Sequence, residues 1–344
     1  MSGRPRVAVL ALGGTIASSA ESGQAATVRM TGSELLRGVP EAAGVADLDV
    51  HSVRMLPSGD LRLADLFELR TLAERALAAG ADGIVVTQGT DTLEETSYAF
   101  ELLTTFDAPV AFTGAMRNSS LPGSDGPANL LAAIRVAASP KARRLGTVVV
   151  LNDEIHASRH VRKCLTTSPS TFASPLIGPL GYVSEDRVRI LMRPVGRLHV
   201  GVPPDAPDAR IAQLTVFFDD DGALVEAVPG LGYHGLVLAA YGGGHVPSWM
   251  VPVLEQVAAQ IPVIMASRTG GGEMLTRTYA YAGSETDLIA RGLIPAGGMS
   301  APHAAVLLRP LLMAGVEPDA LAWCFEQATD PQGLVTAPGR PGAP

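Results

Sequence analysis

The feature that most limits what this chain can become is a series of short apolar runs rich in valine and isoleucine. Val7–Leu12, Gly83–Thr87, Pro109–Thr113 and Gly146–Leu151 lack polar alternation. Strands of that kind are buried on both faces, as in a parallel sheet covered by helices. Helical patterns separate them. Leu63, Leu66, Phe67, Leu72, Ala73, Ala76 and Leu77 recur at helical spacing, and Gly80 supplies a stop. Leu130, Leu131, Ile134 and Ala137 line a second helix behind Pro127 at its first turn. This alternation predicts an α/β protein whose larger N-terminal part is a doubly wound, mainly parallel sheet.

The pattern changes after about Arg193. Pro203, Pro204 and Pro207, with Asp205 and Asp208, read as a linker. The expected organisation is an N-terminal domain over 1–193, a linker over 194–210 and a smaller C-terminal α/β domain over 211–344. The smaller domain is expected to use strands at Leu214–Phe218, Gly235–Ala239 and Val263–Ala266. Its last helices are expected at Ala304–Met313 and Asp319–Gln327. The Pro- and Gly-rich tail from Ala337 is expected to be loose.

Composition excludes several classes. With 47% apolar and 17% charged residues, the chain can bury a core and is not disordered. A net charge of −8 and the lack of a dense Lys/Arg block argue against nucleic acid and against anionic membrane surfaces as partners. The run Val7–Leu12 behind Arg4 and Arg6 is too short to span a membrane and reads as a first strand. Cys164 and Cys324 cannot form a disulfide framework, which points to reduced thiols and a cytoplasmic location.

Four stretches carry chemistry-bearing residues. Leu12-Gly13-Gly14-Thr15-Ile16 lies where the first strand ends, the place where open α/β sheets bind ligands. Glycines there let the backbone approach a ligand, and Thr15 presents a hydroxyl, although a simple strand-end turn explains the same residues. Thr87-Gln88-Gly89-Thr90-Asp91-Thr92-Leu93-Glu94-Glu95 follows the second apolar run. Thr92 and Glu95 have capping-box spacing, yet capping needs one side chain and this turn offers Thr90, Asp91 and Thr92 together. Pro57-Ser58-Gly59-Asp60 reads by itself as an ordinary turn. Lys163 becomes chemically interesting only if it reaches a threonine hydroxyl, where a desolvated lysine can act as base. His156 and His160 are four apart, the spacing that puts two zinc ligands on one helix face, but a third ligand is missing.

Taken together, these stretches resemble the bacterial-type L-asparaginase/glutaminase family. The resemblance rests on Leu12–Ile16, Ser58–Asp60, Gly89–Thr96, Gly114–Arg117, Ser124–Leu130, Asn152–Asp153 and Lys163, in that order. It is strong over the first half of the chain and weaker over the second. It implies Thr15 as nucleophile, Thr90 and Lys163 as a second threonine with its lysine partner, and Asp91 as the carboxylate that grips an α-ammonium group. Ser58, with Gly59 beside it, would meet the α-carboxylate, and Ala115 would position the amide through its backbone. It further implies hydrolysis of asparagine to aspartate and ammonia, some glutaminase activity, no cofactor, no metal and a homo-oligomer of two or four copies.

The chain departs from the family pattern at four places around the pocket. No tyrosine occurs over Gln24–Val28, where many relatives carry one near Ala26. Gln88 replaces a common histidine, Gly59 a frequent glutamine, and His245 falls about where some relatives use an asparagine from a neighbouring subunit. A non-catalytic amino-acid-binding or sensor homologue is the alternative these departures leave open. A tRNA-dependent amidotransferase subunit fits less well, because Thr15 lies too near the start for that subunit's extra N-terminal domain.

Overall fold

A computed structural model describes residues 3–19 and 27–339. It divides into two compact units, residues 1–194 and 195–344.

In the first unit the elements run β1 (Arg6–Gly13), β2 (Asp47–Leu56), α1 (Leu63–Ala78), β3 (Gly83–Thr87), α2 (Leu93–Leu102), β4 (Val110–Thr113), α3 (Gly126–Ala138), β5 (Thr147–Leu151) and β6 (Glu154–Ala157). They are followed by β7 (Arg162–Lys163), β8 (Phe172–Ala173), β9 (Gly181–Ser184) and β10 (Arg187–Ile190). Eight strands form one sheet in the order β10-β9-β6-β5-β4-β3-β1-β2. The run from β2 to β5 is parallel, and β6, β9 and β10 continue it as an antiparallel meander. The sheet is therefore mainly parallel. Residues 7–13 of β1 and all of β3, β4 and β5 are buried, as the unbroken apolar runs require. Helix α3 begins with Pro127 in its first turn and buries Leu130 and Ile134 in the core that also takes Val7, Val9, Val85 and Val148.

Strand β2 is the main element that the apolar pattern does not single out. Its residues are exposed or half-buried throughout, because it forms the edge of the sheet and among the described residues is paired only with β1. His156 lies in β6, not on a helix, so the four-residue spacing to His160 has no ligand-pairing meaning. Its Nδ1 faces the Ser174 hydroxyl at 3.0 Å. Among the described residues no group of three or more His, Cys, Asp or Glu side chains is placed to hold a metal ion.

The second unit contains β11 (Gly196–His199), β12 (Ile211–Thr215), β13 (Gly235–Ala240), α4 (Val251–Ala258), β14 (Val263–Ser267), β15 (Ile294–Pro295), α5 (Ala301–Met313), α6 (Pro318–Thr329) and β16 (Gly333–Thr336). A parallel sheet runs β12-β13-β14-β15 over its own core of Leu236, Leu238, Leu254 and Met265. Three expectations need correction here. The first strand is Ile211–Thr215 rather than Leu214–Phe218, because pairing starts at Ile211 opposite Gly235 and leaves Phe218 90% exposed. The stretch 194–210 is not all linker, since β11 pairs in parallel with β16. Ala337 is held as well, being buried with its N–H donating to the His199 carbonyl at 2.8 Å.

No helix of the described residues is long and apolar enough to cross a membrane.

Candidate active site

Strands β1 and β3 are neighbours, so the turns that leave their carboxyl ends emerge side by side. The two turns touch through glycine. Gly14 has φ of +82°, and a Cβ there would lie 1.9 Å from the Gly89 nitrogen. Gly89 packs in turn on Ser58, whose Oγ would be 2.8 Å from a Cβ. Three sequence stretches separated by tens of residues thus meet backbone to backbone, which side chains at these glycines would prevent.

The result is an open cleft of about 430 Å³ lined by Thr15, Ser58, Thr90 and Asp91, with Met55 and Pro57 on its wall. Thr15 is half-buried at the start of a single 3₁₀ turn, Thr15–Ala17. That turn is pinned by the Ser18 hydroxyl, which donates to the Gly14 carbonyl at 2.9 Å. Thr90 is buried, whereas the Asp91 carboxylate is 80% exposed.

Lys163 arrives from β7, a two-residue strand paired with β8. Its ammonium donates to Thr90 Oγ1 at 3.0 Å and to Asp91 Oδ1 at 2.6 Å. The condition under which this lysine gains chemical meaning, contact with a threonine hydroxyl, is met. The lysine side chain is only 18% exposed, so the pair is shielded from bulk solvent on the lysine's side.

Ser58 is almost fully buried, and its Oγ accepts the Asp91 N–H at 3.2 Å. Its hydroxyl proton is left to donate elsewhere. Gly59 is exposed, and a Cβ there would meet nothing within 4 Å. Ala115 is buried, and the segment around it is held from α3. Asp125 accepts the N–H groups of Met116 and Arg117. Asn129 donates to the Gly114 carbonyl at 3.0 Å and accepts the Asn152 N–H at 2.9 Å. Asn152 and Asp153 turn with φ of +52° and +60°, a conformation their short polar side chains tolerate. The stretch Ser124–Leu130 therefore works as a clamp on the loop carrying Ala115, a function its composition did not disclose.

Two sequence expectations fail at this turn. Thr92 does stand at the N-cap of α2, but its side chain does not cap. Its hydroxyl donates instead to the Ser58 carbonyl at 2.9 Å, because the neighbouring turn offers an acceptor that a sequence pattern cannot see. Gln88 does not face the cleft either. It is fully buried, donates to the Gly89 carbonyl and accepts from the Thr96 hydroxyl. Of the other departures, residues 24–26 lie outside the described residues. His245 lies in the second unit, where its Nε2 is 3.0 Å from Glu285 Oε2 and its Nδ1 is 3.0 Å from the Tyr281 hydroxyl.

Two carboxylates, Glu94 and Glu95, lie in the first turn of α2. Glu94 is buried and accepts the backbone N–H of Lys163. Burial pushes its carboxyl above the ordinary 4.5, against the pull of that N–H and of the Arg162 and Lys163 charges. Glu95 is raised as well, first by burial and then by the neighbouring Glu94 charge. A carboxyl whose folded pKa is raised binds its proton more tightly when folded, so its stabilising effect is complete below pH 4.5 and is lost as pH rises through the folded value. Glu95→Gln, which does not titrate, is therefore expected to match the wild type in thermal stability at about pH 4 and to exceed it at neutral pH. Melting curves at the two pH values check this, and a difference independent of pH would contradict it.

Comparison with known proteins follows the same outline. The family model described as Asparaginase, N-terminal, matches residues 6–196, and that of the Glutaminase/Asparaginase C-terminal domain matches residues 210–325. The chain is 34% identical to an L-asparaginase of Bacillus licheniformis, covering 93% of this chain and 99% of that protein. It is 33% identical to a glutaminase-asparaginase of Pseudomonas fluorescens biotype A, covering 84% and 83%. Among solved structures, one described as a probable cytoplasmic L-asparaginase from Campylobacter jejuni superimposes with a TM-score of 0.85 at 27% identity, over 94% of this chain and 99% of that one.

Proposed function

Since this chain belongs to the bacterial-type L-asparaginase family and is an L-asparaginase, we propose that it releases ammonia from asparagine by a threonine nucleophile through an acyl-enzyme. The observation that carries this reading is the convergence of Thr15, Thr90 and Asp91 on one cleft, with the Lys163 ammonium on the Thr90 hydroxyl.

In this mechanism Asp91 and Ser58 hold the amino acid. The exposed Asp91 carboxylate takes the α-ammonium group, and the Ser58 hydroxyl, whose proton is uncommitted, donates to the α-carboxylate. Charged recognition at both ends orients the side-chain amide before attack. The loop at Ala115, held by Asp125 and Asn129, supplies backbone groups to the amide. Thr15 Oγ forms a bond to the amide carbon and gives up its proton, while N–H donors stabilise the developing oxyanion. The C–N bond breaks as the nitrogen takes the proton given up by Thr15, and ammonia departs. Water then attacks the ester, with Thr90 and Lys163 moving its proton, and releases aspartate and the Thr15 hydroxyl.

A lesser glutaminase activity belongs to the same reading and is supported by the relative named glutaminase-asparaginase. Assembly into two or four copies rests on the family resemblance. A cytoplasmic location accords with the two free thiols of Cys164 and Cys324, although one relative, from Haemophilus influenzae, is described as a probable periplasmic L-asparaginase.

The test is ammonia release from L-asparagine, L-glutamine and D-asparagine by the wild type and Thr90→Val. Turnover of L-asparagine ahead of the others, with near-complete loss in the variant, is expected. Tight asparagine binding without ammonia release by the pure wild type would instead identify a sensor.

A further inference from the structure

The proposed mechanism leaves Glu94 unused, yet this residue makes a contact that a capping role does not need. It sits in the first turn of α2, where a carboxylate is favoured by the helix N-terminus. Its Oε2 reaches across to the backbone N–H of Lys163, 69 positions away in the sequence. Lys163 is thereby held at two points by one stretch of chain. Thr90 and Asp91 take the ammonium group, and Glu94, three residues after Asp91, takes the main chain.

The second point matters because β7 is weak by itself. It comprises two residues, and β8, its strand partner among the described residues, is equally short, with the Cys164 N–H on the Thr171 carbonyl at 2.8 Å as a further tie just past Lys163. A lysine side chain is a flexible four-carbon stem, so its ammonium contact by itself does not fix the position of the Lys163 main chain. Fixing the backbone and the head group together leaves the side chain one span to bridge. Burial of Glu94 makes the bond costly to replace with water.

We propose that Glu94 is a positioning residue of this enzyme: by fixing the Lys163 backbone to the first turn of α2 it keeps the Lys163 ammonium on the Thr90 hydroxyl. It touches no substrate. This rests on the reading of Thr90 and Lys163 as a working pair.

Three substitutions separate a positioning role from a merely structural one. Glu94→Gln keeps an acceptor oxygen at the same reach, Glu94→Asp shortens that reach by one methylene, and Glu94→Ala removes the acceptor. Steady-state kinetics on asparagine and amide hydrogen exchange of the peptide containing Lys163 are the readouts. Glu94→Ala and Glu94→Asp are expected to lower kcat by roughly 10- to 100-fold with KM changed less than about threefold, as for a misplaced catalytic group. Exchange at Lys163 accelerates in both. Glu94→Gln is expected to stay within about threefold of wild-type kcat, with slow exchange. If Glu94→Ala does not fold, the Gln and Asp variants carry the comparison. Wild-type kcat in Glu94→Asp, or a loss in Glu94→Gln as deep as in Glu94→Asp, overturns the proposal. Lys163→Met is measured alongside. If it retains activity, the catalytic pair itself is wrong. If it is inactive while Glu94→Asp and Glu94→Ala remain fully active, only the positioning role fails.

Discussion

Thr15→Ala is expected to lower ammonia release from asparagine by about 10⁴-fold or more, the scale on which removal of an activated hydroxyl nucleophile is felt. Thr15 is half-buried at the cleft, and its turn is anchored by the Ser18 hydroxyl on the Gly14 carbonyl rather than by Thr15's own side chain. The substitution removes the proposed nucleophile and leaves that anchor intact. The melting temperature is therefore expected to hold, since side chains outside buried networks usually contribute only about ±0.5 kcal/mol. Asparagine binding is expected to survive as well, because Asp91 and Ser58, the proposed holders of the two charged ends, are untouched. Calorimetric titration with asparagine and an ammonia assay on the same preparation decide the matter. Residual turnover above a tenth of the wild-type rate would remove Thr15 from the nucleophile role.

Gly14→Ala is the second large effect, and it acts on the architecture. Gly14 combines φ of +82° with ψ of −169°, a region essentially reserved for glycine. An added Cβ would also fall 1.9 Å from the nitrogen and 2.2 Å from the Cα of Gly89. Those atoms are backbone and cannot rotate away. Conformational strain of about 1–3 kcal/mol and a steric penalty of similar size add, so a loss of about 3 kcal/mol or more is expected. The turns carrying Thr15 and Thr90 would separate, and activity would fall with them. Gly59→Ala is the matched control. A Cβ there meets nothing within 4 Å, and its stability change is expected to stay within about 0.5 kcal/mol. Denaturant unfolding of both variants tests the contrast, and equal stabilities would show that the Gly14–Gly89 contact is dispensable.

The elements built from strong local patterns were legible at once. Strand Gly83–Thr87 runs as its apolar residues predict, and the helices around Leu66 and Ile134 bury those residues. What failed were the places where a partner decides the outcome. Strand β12 lies three residues earlier than its apolar run suggests, because the register with β13 overrides hydrophobicity and leaves Phe218 in solvent. Thr92 has the spacing of a capping residue and spends its hydroxyl on Ser58. Gln88, expected at the pocket, is turned into the core by Thr96.

The candidate site divides in the same manner. The family resemblance carried by the ordered motifs is what points to Thr15, Ser58, Thr90, Asp91 and Lys163, since by themselves Ser58 reads as part of a turn and Lys163 as a surface amine. Only the folded structure could show that Lys163 reaches Thr90, that Glu94 holds Lys163 by its main chain, and that Gly14 rests on Gly89. Local pattern is a property of neighbours in the chain and is written in sequence. Which distant atoms meet depends on strand order, register and the absence of a Cβ at the crossing points, and those are settled only when the whole sheet packs.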